Sequence, residues 1–109
     1  MNNYHSMKAI IDGKRYDTET STEIARAESD ASYTDFAHWT ETLYRTPKGN
    51  YFLAGFGNGL SKYAEHYRDH YTSGEEIIPF TEGEAFAWAQ VNSLEDIIEQ
   101  YFPSFFVDA

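Results

Sequence analysis

The residues in this chain best suited to chemistry are carboxylates, and they crowd its C-terminal part. After Arg68 no lysine or arginine follows, while nine acids remain: Asp69, Glu75, Glu76, Glu82, Glu84, Glu95, Asp96, Glu99 and Asp108. The first 68 residues set nine acids against all eight basic residues, so the net charge of −10 arises almost wholly from the second part. A field that lopsided either keeps a protein soluble or attracts a basic partner. Duplex DNA presents one negative charge per about 1.7 Å of axis, and a basic groove that accepts it also accepts carboxylates fixed on a rigid body. Glu75, Glu76, Glu82, Glu84, Glu95, Asp96 and Glu99 are the candidates for such a track. Tyr63, Tyr67 and Tyr71, at every fourth position, are candidate aromatic anchors, of which Tyr67 and Tyr71 are assigned to a partner-binding surface; packing is the competing role for this spacing.

Other constellations are weaker. His66 and His70 stand at i,i+4 beside Glu65 and Asp69, a spacing that on a helix brings two imidazoles to one metal. The internal glutamate of the metalloprotease motif is missing and no third ligand is marked, so no metal site is assigned. Gly55-Phe56-Gly57-Asn58-Gly59 has neither the spacing nor the Lys-Ser/Thr ending of a phosphate loop, and reads as a bend or bulge. Serine, histidine and acidic residues occur without a nucleophile elbow, and there is no cysteine nucleophile. The expectation is a protein that is not an enzyme, with no catalytic residues and no cofactor.

A chain of 109 residues, 41% hydrophobic and 17% aromatic, is long enough for one core and too short for two. We expect a single domain over 7–109 behind a polar leader at 1–6. The aromatic content argues against disorder, because acidic disordered chains are poor in aromatics. With no cysteine there is neither a disulfide framework nor a thiolate metal site, which fits a reducing cytoplasm. No apolar run is long enough to cross a bilayer. The acidic balance argues against nucleic acid or an anionic membrane as the direct partner, since both would be repelled.

Several elements must hold the candidate residues. Lys8–Ile11 and Lys14–Tyr16 flank Asp12-Gly13, the strongest two-residue hairpin signal, because both turn positions need positive φ. Thr20-Ser21-Thr22-Glu23 has capping-box spacing and predicts a helix over about 21–30 that buries Ile24, Ala27 and Ala31. The run 39–46 and the run 51–54, joined by Pro47-Lys48-Gly49-Asn50, form a second hairpin. The glycines at 55, 57 and 59 are expected to end that strand, and 60–71 is ambiguous between short helix and loop. Glu75–Phe80 reads as a strand, with Pro79 favouring an edge or strand end. Thr81-Glu82-Gly83-Glu84 repeats the capping-box spacing and opens a helix through Gln90. From Ser93 a third helix carries Leu94, Ile97, Ile98, Tyr101 and Phe102 on one stripe, with Glu95, Asp96 and Glu99 opposite. The sum is β-β-α-β-β-β-α-α, a small α+β domain with helices against antiparallel sheet.

The motifs Ile11–Thr20, Glu41–Leu53, Ser61–Ala64, Ile77–Thr81, Glu84-Ala85 and Trp88-Ala89 resemble those of small proteins encoded by bacterial genomes, phages and other mobile elements. That resemblance covers residues 7–100 and carries mainly fold. Small acidic products of this kind include anti-CRISPR proteins, several of which block DNA binding by imitation. What the resemblance implies is a non-enzymatic inhibitor in a bacterial cytoplasm, its acidic surface occupying a basic surface of a CRISPR effector nuclease or another defence protein. The alternative is a mobile-element adaptor that binds a protein partner through exposed aromatics.

Overall fold

The computed structural model describes residues 6–32 and 34–109, and of Tyr67 the backbone alone. The expected leader therefore lies outside the described residues except for Ser6. Among the described residues eight strands and two α-helices follow one another: β1 Lys8–Ile11, β2 Lys14–Asp17, β3 Thr22–Glu28, β4 Trp39–Arg45, β5 Tyr51–Gly57, β6 Glu65–Tyr67, β7 His70–Thr72, β8 Gly74–Phe80, α1 Glu82–Val91 and α2 Glu95–Tyr101, then a 3₁₀ turn at Pro103–Phe105. The α+β class with antiparallel sheet holds, and the helix count falls from three to two.

The centre is a four-stranded antiparallel sheet in the order β3-β4-β5-β8. Residues paired across antiparallel strands share a face, and successive residues alternate. The rows Leu43↔Leu53↔Ile78 and Glu41↔Gly55↔Glu76 therefore face one side, while Tyr44↔Phe52↔Pro79 and Thr42↔Ala54↔Ile77 face the other. The first side packs α1 and α2 into a core of Ile24, Leu43, Tyr51, Leu53, Ala85, Trp88, Ala89 and Phe102. On the second side the β1–β2 hairpin covers Tyr44, Phe52, Ala54 and Ile77 with Tyr16 and the partly buried Met7, Ala9 and Ile11. Phe52, Phe102 and Leu43 are fully enclosed, each contributing about 1.5–3 kcal/mol by burial. The layers are thus hairpin, sheet and helices.

Both hairpins form as their turn residues dictate. Asp12 and Gly13 take φ of 52° and 77°, the paired positive values that match the twist of the flanking strands. Pro79 sits on β8, an edge of the central sheet, where its missing N–H is tolerated.

The helix expected over 21–30 is instead strand β3. Thr22 and Ile24 are β-branched, and from Ala25 onward half-buried Ala25 and Ala27 alternate with exposed Arg26 and Glu28. The ladder against β4 slips by one residue between Glu23 and Ala25, a bulge that turns Ile24 into the helix-side core. A ten-residue helix with a small apolar face is marginal alone, whereas pairing satisfies the open edge of the buried strand β4. The Thr20-Glu23 capping box does not form: Thr20 donates its hydroxyl to the Asp17 carbonyl at 3.4 Å. At Thr81 the same spacing does form a box, with Glu84 N–H donating to Thr81 Oγ1 at 3.1 Å and Thr81 N–H donating to Glu84 Oε1 at 2.8 Å.

Gly55 does not end the strand, which runs through it and stops at Gly57. Both glycines leave room for the segment that folds back over the sheet. A Cβ at Gly55 would overlap the Tyr63 ring, and one at Gly57 would overlap the Ser61 side chain. The ambiguous run 60–71 resolves into this crossing segment and the small β6–β7 ribbon.

Candidate functional site

The acidic residues fall into separate groups. Glu75 and Glu76 are successive residues of β8, so they point to opposite faces of the sheet, and with Lys8 they border one shallow hollow beside β1. Glu82 and Glu84 occupy the first turn of α1, and Glu95 and Asp96 the first turn of α2, where the positive end of the helix dipole favours acids. Glu84 also closes the cap at Thr81. All seven predicted acids are exposed.

The helical layer presents the purest field. From residue 82 onward the chain carries Glu82, Glu84, Glu95, Asp96, Glu99 and Asp108 with no lysine, arginine or histidine, and each of these six is exposed. Leu94, Ile97, Ile98 and Tyr101 turn inward against the core as their spacing predicts, which leaves Glu95, Asp96 and Glu99 outward. On the opposite layer the β1–β2 hairpin displays Lys8, Lys14 and Arg15. The same hairpin also carries Asp12 and Asp17, so this layer is mixed in charge where the helical layer is of one sign. Beside Glu95 a shallow groove is lined by Phe86, Gln90, Ser93, Ile98 and Phe106. Phe105, Phe106 and Val107 are exposed next to it, and Phe105 stacks on Phe86 at 5.3 Å.

The tyrosines separate. Tyr71 is 59% exposed and lies 4.7 Å from the His66 ring; the Tyr67 side chain lies outside the described residues; Tyr63 is buried. Their four-residue spacing has no helical meaning, because the segment is a turn followed by two strands. The same change separates the histidines. His66 pairs with Tyr71 and His70 with Tyr67 across the β6–β7 ribbon, so the two imidazoles stand on opposite faces. Among the described residues no group of three His, Cys, Asp or Glu side chains could hold a metal.

The most structured polar centre in the described residues carries none of the acids assigned to the track. Glu41, in the middle of β4, is 4% exposed. Its Oε1 accepts from Trp88 Nε1 at 2.9 Å. Its Oε2 accepts from the Tyr63 hydroxyl and pairs with Lys62 Nζ at 2.7 Å. Lys62 Nζ also lies 4.0 Å from the centre of the Trp39 ring and 5.7 Å from that of Tyr63. Burial alone would raise the Glu41 pKa, but the three hydrogen bonds and the Lys62 charge outweigh it, so the carboxyl titrates below its ordinary value. Burial and then the hydrogen bond to Glu41 push the Tyr63 phenol far above its own. The group is held as a carboxylate at neutral pH.

Sequence reasoning passed over this centre. Its signal was period two: Trp39, Glu41 and Leu43 alternate onto one face of β4, which places an acid in a core-facing register where only a paired carboxylate is tolerated. The partners at 62, 63 and 88 come from two other segments, and no spacing rule links them to position 41.

No protein-family model, curated protein or solved structure matches the chain. Among the described residues no helix is long and apolar enough to cross a membrane. The functional reading accordingly rests on the two features above, the acidic helical layer and the buried Glu41 centre.

Proposed function

We propose that this protein is a non-enzymatic inhibitor whose acidic helical layer occupies a basic nucleic-acid-binding or docking surface of a bacterial defence nuclease complex, in the manner of an anti-CRISPR protein acting in the bacterial cytoplasm. The observation that carries the reading is the layer from residue 82 onward, with six exposed carboxylates and no basic side chain. Its acids are fixed by a capped helix and by an apolar stripe packed into the core, so a partner meets charges on a rigid body. Preorganised charge of one sign steers association and sets specificity. The three donors around Glu41, from Trp88, Tyr63 and Lys62, tie β4 to the crossing segment and to α1, a structural role that supports the rigid presentation of the acids.

Glu82, Glu95, Asp96 and Glu99 are the expected central contacts. Glu84, Glu75 and Glu76 are expected to be secondary, because Glu84 serves the α1 cap and the other two sit beside Lys8 on the far edge strand. The test is the triple variant Glu95→Lys, Asp96→Lys, Glu99→Lys, assayed for inhibition of a guide-loaded effector nuclease. Inhibition weakens tenfold or more, on the order of 1.4 kcal/mol, with the fold retained by circular dichroism. Full inhibition by a folded triple variant rejects the reading.

The adaptor reading draws on a different observation, the groove between Phe86, Ile98 and Phe106 with Phe105 and Val107 exposed beside it. An apolar docking site of that kind keeps its affinity as salt rises, whereas a charge-steered contact loses it steeply.

A further inference from the structure

The Glu41 centre has the construction of a ligand site with its ligand supplied from within. A cation set against aromatic faces with a carboxylate behind it is the arrangement by which proteins recognise organic ammonium ions. Here Trp39 and Tyr63 supply the faces, Glu41 Oε2 the carboxylate, and Lys62 the ammonium. We propose that Trp39, Glu41 and Tyr63 form a binding site for a lysine-type ammonium group, that Lys62 fills it in cis, and that a lysine of a basic partner can exchange with it.

Three observations support exchange over a fixed internal ion pair. First, the carboxylate is positioned without Lys62: Trp88 Nε1 and the Tyr63 hydroxyl hold its two oxygens. The site therefore keeps its shape when the lysine leaves, and a buried carboxylate without a counter-charge continues to demand one. Second, the lysine enters from solvent, its side chain 51% exposed against 6% for Glu41. The mouth of the site is open. Third, the segment bearing Lys62 is anchored by other bonds. Asn58 N–H donates to the His38 carbonyl at 2.9 Å, Ser61 Oγ donates to the Asn58 carbonyl at 2.8 Å, and Tyr63 N–H donates to Ser61 Oγ at 3.1 Å. The Lys62 side chain can swing out while its backbone stays.

The geometry also selects the cation. Oε1 is engaged by the indole of Trp88, so one oxygen faces the mouth. A guanidinium needs two parallel acceptors for its fork, while an ammonium is a point charge satisfied by one oxygen and a ring face. The site thus favours lysine over arginine, and its ligand does not depend on which protein the acidic helical layer docks against.

The test uses the two tryptophans of the chain, one a wall of the site and the other a donor to its carboxylate, so that tryptophan emission reports this centre. The full-length Lys62→Ala variant is titrated with ethylammonium chloride against sodium chloride at equal ionic strength. The expected result is a saturable emission change specific to ethylammonium. It is lost when Glu41→Gln is added, and in the wild-type protein it requires about tenfold more ligand, because Lys62 competes at the high effective concentration of a tethered group. Methylguanidinium produces a weaker response. A folded Lys62→Ala protein that responds identically to ethylammonium and sodium overturns the proposal. If that variant fails to fold, Lys62→Met, which keeps the apolar stem against Trp39, takes its place. In the wild-type protein, an amine-reactive ester should modify Lys62 much more slowly than exposed Lys48; equal rates would likewise overturn the proposal.

Discussion

Gly55→Ala tests how tightly the segment carrying Tyr63 is locked to the sheet. Gly55 lies in β5, hydrogen-bonded to β4 on one side and β8 on the other, so its backbone has little freedom to shift. An alanine Cβ would overlap Cζ, Cε1 and the hydroxyl of Tyr63, well inside the ordinary contact range of 3.4–4 Å. The ring would have to retreat by more than an ångström, and its hydroxyl is bonded to the buried Glu41 carboxylate. Overpacking of this kind costs about 1–3 kcal/mol, and losing a hydrogen bond to a charged group costs about 1.5–3 kcal/mol. We expect a loss of about 3–5 kcal/mol, a large share of the roughly 5–15 kcal/mol that holds such a domain. Urea denaturation followed by circular dichroism measures it. The same substitution made in a Tyr63→Ala background should cost less than about 1 kcal/mol, because the overlapping ring is gone. A Gly55→Ala protein as stable as wild type, or an equal cost in both backgrounds, would refute the argument.

Three further outcomes follow from the geometry. Thr81→Ala should cost about 1 kcal/mol by removing a formed capping box, while Thr20→Ala, in the box that does not form, should stay within about 0.5 kcal/mol; paired thermal melts compare them. The Glu41 carboxyl titrates below its unfolded value of 4.5, so its stabilising contribution is complete above that pH and is lost as pH falls through the folded value. Denaturation between about pH 6 and pH 3 should show that loss in wild type and a shallower acid dependence in Glu41→Gln. Reversal of Glu95, Asp96 and Glu99 to lysine should weaken inhibition by tenfold or more, on the order of 1.4 kcal/mol, and neutralisation of the same three to glutamine should weaken it less.

Local chemistry made much of the fold legible. Asp12-Gly13, Pro47–Asn50 and the Thr81 box each name their own turn or cap, because the residues that specify the conformation are the ones that adopt it. The stripe from Leu94 to Phe102 was readable for the same reason, since one period fixes both its buried and its acidic face. Residues 21–30 were misread because their preference is weak both ways: Thr20 and Glu23 imitate a cap, and only the open edge of β4 decides for strand. Gly57 does end its strand, but Gly55 looks like a breaker only because the Tyr63 ring that fills its missing side-chain volume arrives from eight residues away. The Glu41 centre was hidden for a related reason. A carboxylate at a core-facing strand position is a visible anomaly, but its donors at 62, 63 and 88 are brought together only by the segment crossing the sheet and by α1 packing.

The most direct test of the proposed inhibitory role is a competition titration in which this protein is added to a guide-loaded CRISPR effector nuclease holding labelled target DNA, at low and at moderate salt. Displacement of the DNA that weakens steeply with salt, and that disappears with the Glu95, Asp96 and Glu99 reversal, is the predicted result. Failure to displace DNA at either salt would contradict occupation of that effector's nucleic-acid surface by the acidic helical layer.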